Sequence, residues 1–223
     1  MVDRASKMKD FIQWVLFGFL LVLIFIFLLI KFKKTHSPRN KQTITQTLEP
    51  KTNETLHVIS QVDPFSLTNQ MGQLFTQTDV LGAPWLANII FTRCPTVCPE
   101  ITRTISNLIP EIDPNVNFIS LTTDPEFDTP EALSSYIEAN NAKAKNWHFL
   151  TGPKTVITKL AIENLKMISI PKDINNRDSP ADLFIHSSLL VLVDSKGQVR
   201  GSFESDSNNL LEDIQSALAN LEL

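Results

Sequence analysis

The chain has 223 residues, 43% of them hydrophobic and 20% charged, which is ordinary for one folded domain and too apolar for a disordered chain. Residues 1–50 carry eight Lys/Arg against three acids and residues 51–223 twelve against twenty-one, so a basic head precedes an acidic body. That balance argues against nucleic-acid binding, and two cysteines exclude a disulfide-dense scaffold or a four-cysteine zinc ribbon.

After a short tail (1–10), residues 11–30 read FIQWVLFGFLLVLIFIFLLI, twenty positions without a charge. As a helix they span about 30 Å, the hydrocarbon thickness of a bilayer. No small-x-small cleavage site follows, so a retained transmembrane anchor is expected rather than a signal peptide. Residues 31–56 are polar and lack an apolar period, as in a tether. Ten residues before the anchor are too few for a transit peptide, which points to a bacterial cytoplasmic membrane. Bases number five after the anchor and three before it (Arg4, Lys7, Lys9), a count that favours a cytoplasmic body.

The folded body is expected over 57–223. A hairpin is predicted around Phe65–Phe75, turning at Gly72, followed by a buried strand over 85–92. Pro99 stands at a plausible first helical position, with Ile101, Ile105, Leu108 and Ile109 at helical spacing behind it. A second buried strand is predicted over 116–122. Thr129 as N-cap and Pro130 at N1 then open a helix through Ala139. A short strand (147–150), a helix (153–165), a third buried strand (188–193), its antiparallel partner (198–203) and a terminal helix (208–221) complete the series. This alternation predicts an α/β fold with a mixed central sheet. The stretch 171–185 is rich in turn signals and is expected to be a mobile surface loop.

Both cysteines lie in Cys94-Pro95-Thr96-Val97-Cys98-Pro99, between a predicted strand and a predicted helix. Ligands collect at this edge of open α/β sheets, and a helix N-terminus lowers the pKa of a thiol placed there. Four-residue spacing on a helical turn brings two sulfurs to one face, within reach of a disulfide or of one soft metal ion such as Cu(I). The alternative is an inert pair packed in a loop. CxxxC by itself leaves metal binding and redox chemistry open. Of the four histidines, His36, His57 and His148 read as incidental, whereas His186 stands just before the third buried strand.

Taken together, Cys94-Pro-Thr-Val-Cys98-Pro99, the run Asp124-Pro-Glu-Phe-Asp-Thr-Pro-Glu131 and His186 resemble the Sco/SenC proteins. These are membrane-anchored, copper-binding assembly factors of cytochrome c oxidase. The resemblance spans about residues 60–220 and includes the opening segment 64–72 and Trp147–Gly152. It implies a thioredoxin-like fold, copper, Cu(I) or Cu(II), held by Cys94, Cys98 and His186, and a partner in oxidase subunit II. The body would then face the periplasm or cell exterior. A cysteine pair cycling between disulfide and copper-bound states suits a compartment without a glutathione buffer, and this overrides the count of bases.

The family usually has an acid directly before the histidine; here Ile185 occupies that place and Asp182 lies four residues before His186. Metallochaperone rather than enzyme is the expected role. The alternatives are a thiol-disulfide oxidoreductase using the same cysteine pair and a copper or redox sensor. Such oxidoreductases commonly place a cis-proline before the strand facing the cysteines, where this chain has Phe184-Ile185-His186. Asp124 reads either as part of a helix-opening turn or as a neighbour of the copper loop. Arg93 reads either as a group that stabilises a thiolate or as a solvent-facing side chain.

Overall fold

The computed structural model describes residues 56–173, 175, 184–186 and 188–221. The chain divides into two units, Met1–Lys51 and Thr52–Leu223, and the fold below belongs to the second. The expected anchor (11–30) and nearly all of the tether lie outside the described residues. Among the described residues, no helix is long and apolar enough to cross a membrane.

Eight strands form one sheet. In chain order they are β1 (Ser60–Gln61), β2 (Ser66–Asn69), β3 (Leu74–Thr76), β4 (Trp85–Ile90), β5 (Asn117–Thr122), β6 (Trp147–Thr151), β9 (Leu189–Val193) and β10 (Gln198–Glu204). Two further strands, β7 (Ser169–Pro171) and β8 (Phe184–His186), pair only with each other. The large sheet runs β1-β10-β9-β4-β5-β6-β2-β3. Its centre, β4-β5-β6, is parallel, and antiparallel strands close both sides. The mixed sheet of the expectation is therefore present, joined by the crossover helices α1 (Val97–Leu108) and α2 (Pro130–Ala139). Parallel neighbours need such connections, because a tight turn cannot reverse the chain twice. Among the described residues, the other α-helices are α3 (Lys154–Thr158), continued by a π-helical turn over Lys159–Asn164, and α4 (Leu210–Ala219).

β4 is buried at every position, as a strand covered on both faces must be. Its alternate side chains feed two cores. Leu86 and Ile90 pack with α1, α2 and α4 through Ile105, Leu133 and Ile214. Trp85, Ala87 and Ile89 pack with Phe75 and with Ile157 and Leu160 of the α3 region. A buried polar chain crosses the parallel strands: Trp147 Nε1 donates to Ser120 Oγ (2.9 Å), which donates to Asn88 Oδ1 (2.7 Å). Each polar group on this path is satisfied by the next, so the strands can bury them.

Several local expectations hold. Gly72 turns the β2–β3 hairpin with φ +74°, a left-handed conformation that a side chain disfavours. Thr129 caps α2 by accepting the Ala132 amide at 3.3 Å, with Pro130 at the first helical position. Two expectations are corrected. Pro99 is not the first residue of α1: the helix begins at Val97, leaving Pro99 in its first turn, where no intrahelical donor is needed. The stretch 171–185 is not loop throughout, because its ends enter β7 and β8, with Pro171 opposite Phe184 and Ile170 opposite Ile185.

Candidate metal and redox site at the β4–α1 corner

Cys94 follows β4 by four residues and Cys98 sits in the first turn of α1. Both are thiols and both are buried, at 7% and 0% exposure. The two cysteines do not share a helical turn as the four-residue spacing implied, because Cys94 lies before the helix begins. They meet in another way. The Cys94 amide closes a turn onto the Phe91 carbonyl (3.1 Å), and the Cys94 sulfur accepts the Cys98 amide at 3.4 Å. Thr96, the N-cap residue, makes no side-chain cap bond, so Cys94 Sγ takes one of the open amides of the helix start. The Cys98 amide is thus an oriented donor aimed at the Cys94 sulfur. The hydrogen bond with Cys94, and then burial, push the Cys98 thiol far above its ordinary pKa. A soft cation between the sulfurs would favour the thiolate form of both.

Polar groups behind the sulfurs are buried and paired. Tyr136 of α2 and Thr102 of α1 share a hydrogen bond of 2.8 Å, and burial pushes the Tyr136 phenol above its ordinary value. Asp128, fully buried, accepts from the Thr92 amide (3.1 Å) and from the hydroxyls of Thr92 and Thr122. Burial raises its pKa, and these three bonds work in the opposite direction. Asp128 was not among the candidates read from the sequence, where it looked like one more turn residue. Its signal was the threonine at the end of each buried strand, which has meaning only once β4 and β5 lie side by side.

Arg93, whose side chain is 42% exposed, pairs with the loop that follows β5. Its Nη2 and Nε lie 2.5 and 3.1 Å from Asp124 Oδ2, and its guanidinium stands 4.3 Å above the Phe127 ring. Asp124 is thereby placed beside the cysteine loop, one of its two sequence readings. Phe127 (48% exposed) and Val97 (40%) are apolar groups on the surface near the thiols.

His186 lies on β8, its backbone opposite Ser169. β9 begins three residues later and runs antiparallel to β4, with Ala87 opposite Val191. The start of β9 is therefore at the end of the sheet from which Cys94 emerges. Asp182 lies outside the described residues. Among the described residues, no group of three or more His, Cys, Asp or Glu is disposed to hold a metal ion, so the two thiols form the described part of the site. His148 belongs elsewhere, half-buried on β6 with its ring 4.7 Å from that of Phe75. Trp85 and Trp147 are core residues, as expected.

Comparison with known proteins identifies the lineage of this corner. The SCO1 protein homolog of Bacillus subtilis (strain 168) is 31% identical over 160 residues, 70% of this chain and 80% of that protein. Among solved structures, BsSco, described as a member of the Sco family of cytochrome c oxidase assembly proteins with a disulfide switch, superposes with a TM-score of 0.63. It is 29% identical, with 75% of this chain and 97% of that chain covered. ScoI of Bradyrhizobium japonicum, solved with copper bound, gives a TM-score of 0.56 at 25% identity over 70% and 98% of the two chains. The SCO1/SenC family model matches residues 53–220, the whole folded unit with its thiol corner, and the chain belongs to that family.

Proposed function

We propose that this protein is a membrane-anchored copper chaperone that assists assembly of the binuclear copper site of cytochrome c oxidase. The observation that carries the proposal is the pair of buried thiols at the β4–α1 corner, joined through the Cys98 amide rather than by a disulfide. Thiolates are soft donors suited to Cu(I), and an imidazole is compatible with either copper oxidation state. Cys94 and Cys98 are the proposed thiolate ligands and His186 the third. The position of β8 just before β9, at the end of the sheet where Cys94 leaves β4, supports that choice. Copper is cargo here: the chain's part is to give up thiol protons on binding, so affinity falls at acid pH.

The fuller arrangement belongs to the same proposal. It comprises the tail (1–10), the anchor (11–30), the tether (31–56) and the thioredoxin-like domain (57–223). The domain works outside the cytoplasm, at the periplasmic or outer face of a bacterial cytoplasmic membrane. Its partner is oxidase subunit II or a related copper protein. A reporter fused after Leu223 that is active only in the cytoplasm contradicts this orientation.

A second role is supported by the thiol contact itself, since two adjacent thiols can also reduce a partner's disulfide. Mixing the Cu(I)-loaded protein with the metal-free, reduced copper domain of subunit II separates the two. Delivery predicts loss of copper from this chain and its appearance on the target domain once the two proteins are separated. With the metal-free, reduced chain and the same domain presented as its disulfide, reduction of that disulfide with oxidation of the Cys94–Cys98 pair supports the second role.

A further inference from the structure

The loop that carries Cys94 is fastened at its root to the neighbouring loop through Thr92 and Arg93, the two residues before the cysteine. β4 and β5 are parallel and paired to their ends, Ile90 opposite Thr122, so both strands open at the same edge. Beyond β5 the chain turns through Asp124–Asp128, closed by the Asp128 amide on the Asp124 carbonyl (2.8 Å). The Asp128 carboxylate then receives the Thr92 amide, the Thr92 hydroxyl and the Thr122 hydroxyl. Thr122 Oγ1 in turn accepts the Asp124 amide at 3.0 Å, so its single proton is committed to Asp128. On the surface, Arg93 repeats the fastening through Asp124.

We infer that Asp128 is a positioning residue for the thiol pair: by fixing Thr92 it holds the start of the Cys94 loop so that the Cys94 sulfur stays on the Cys98 amide. The residues between the thiols, Pro95, Thr96 and Val97, are all exposed and give the loop little packing of their own. Cys94 also lies outside α1, so the helix alone does not fix it. Without the root contact the loop has more conformations to lose when both sulfurs must meet one ion, and affinity falls accordingly. The copper part of this inference rests on the proposed function; the loop positioning does not.

The most direct change, Asp128→Asn, puts an amide donor against hydroxyls that already donate, and it risks misfolding. Thr92→Val is milder, deleting one hydroxyl and leaving the Thr92 amide and Thr122 bonds to Asp128 in place. Two readouts are taken on the full chain, Cu(I) affinity by competition with a chelator and hydrogen exchange at the Cys98 amide. A hydrogen bond to a carboxylate implies about tenfold weaker Cu(I) binding in Thr92→Val, with faster Cys98 exchange. Thr92→Ser, which keeps the hydroxyl, restores both. Ile157→Val, a destabilising change in the core on the other face of the sheet, lowers the unfolding midpoint without moving either readout.

Wild-type affinity and unchanged Cys98 exchange in Thr92→Val overturn the inference. So does an Ile157→Val chain that reproduces the losses. If the wild-type chain binds no Cu(I), the copper reading fails and the amide decides alone: faster Cys98 exchange in Thr92→Val sustains the positioning role, and unchanged exchange removes it.

Discussion

Replacing Arg200 with Met tests how the edge of the sheet is held. Arg200 Nη1 and Asp194 Oδ2 are 2.8 Å apart, with side chains only 8% and 2% exposed. Asp194 also accepts the Lys196 and Gln198 amides through Oδ1, at 2.9 and 2.8 Å, which shapes the β9–β10 turn. The other arm of Arg200 donates to the Leu56 carbonyl, where the described body begins. Methionine keeps the apolar stem and leaves a buried carboxylate without its cation, for which about 3–5 kcal/mol is typical. Two remaining amide bonds place the expected loss near the lower figure, about 3 kcal/mol. In a body of this size that is roughly 6–12 °C in Tm. Asn at position 194 still accepts both amides through its carbonyl oxygen, so Arg200→Met/Asp194→Asn recovers part of the loss. Urea unfolding of the four chains at neutral pH measures the cycle. A single mutant within about 1 kcal/mol of wild type, or a double mutant equal to the sum of the singles, refutes a strongly coupled buried pair.

Two further outcomes follow from buried polar groups. Burial holds the His148 pKa below its ordinary 6.5, against the opposing pull of Asp79, and its Nδ1 has no hydrogen-bond partner among the described residues. The unfolded chain therefore takes up this proton first. The contribution of neutral His148 is complete above about pH 6.5 and declines as pH falls below it. Urea midpoints between pH 7.5 and 5 should fall less steeply in His148→Phe; identical slopes count against burial as the cause. Ser120→Ala strips the acceptor from Trp147 Nε1 and the donor from Asn88 Oδ1. It should cost about 2 kcal/mol for so small a change, and a neutral result in urea unfolding would show that the chain of bonds is not needed.

What the sequence disclosed was whatever is written locally. The apolar runs of β4 and β5 announce strands buried on both faces, and Thr129-Pro130 announces the start of α2 because the cap and the Ala132 amide it accepts are only three residues apart. α1 begins two residues before Pro99, the expected first helical position, because a proline is tolerated anywhere in a helix's first turn and so marks its start only to within a few residues. β7 and β8 carry three residues each in a polar stretch, too short for any period to register. The cysteines were visible as a motif, but their meeting through the Cys98 amide was not, since it depends on where the helix starts. Asp128 was hidden for a similar reason: its donors, Thr92 and Thr122, are thirty-six and six residues away and converge only through the parallel pairing of β4 with β5.

The central claim is that the two thiols hold the metal. Anaerobic titration of the full chain with Cu(I) against a competing chelator tests it most directly, with wild type, Cys94→Ser/Cys98→Ser and His186→Ala measured together. One copper per chain is predicted for wild type, none for the double cysteine variant, and weaker binding, by tenfold or more, for His186→Ala. Full-strength binding by the double cysteine variant would contradict the account.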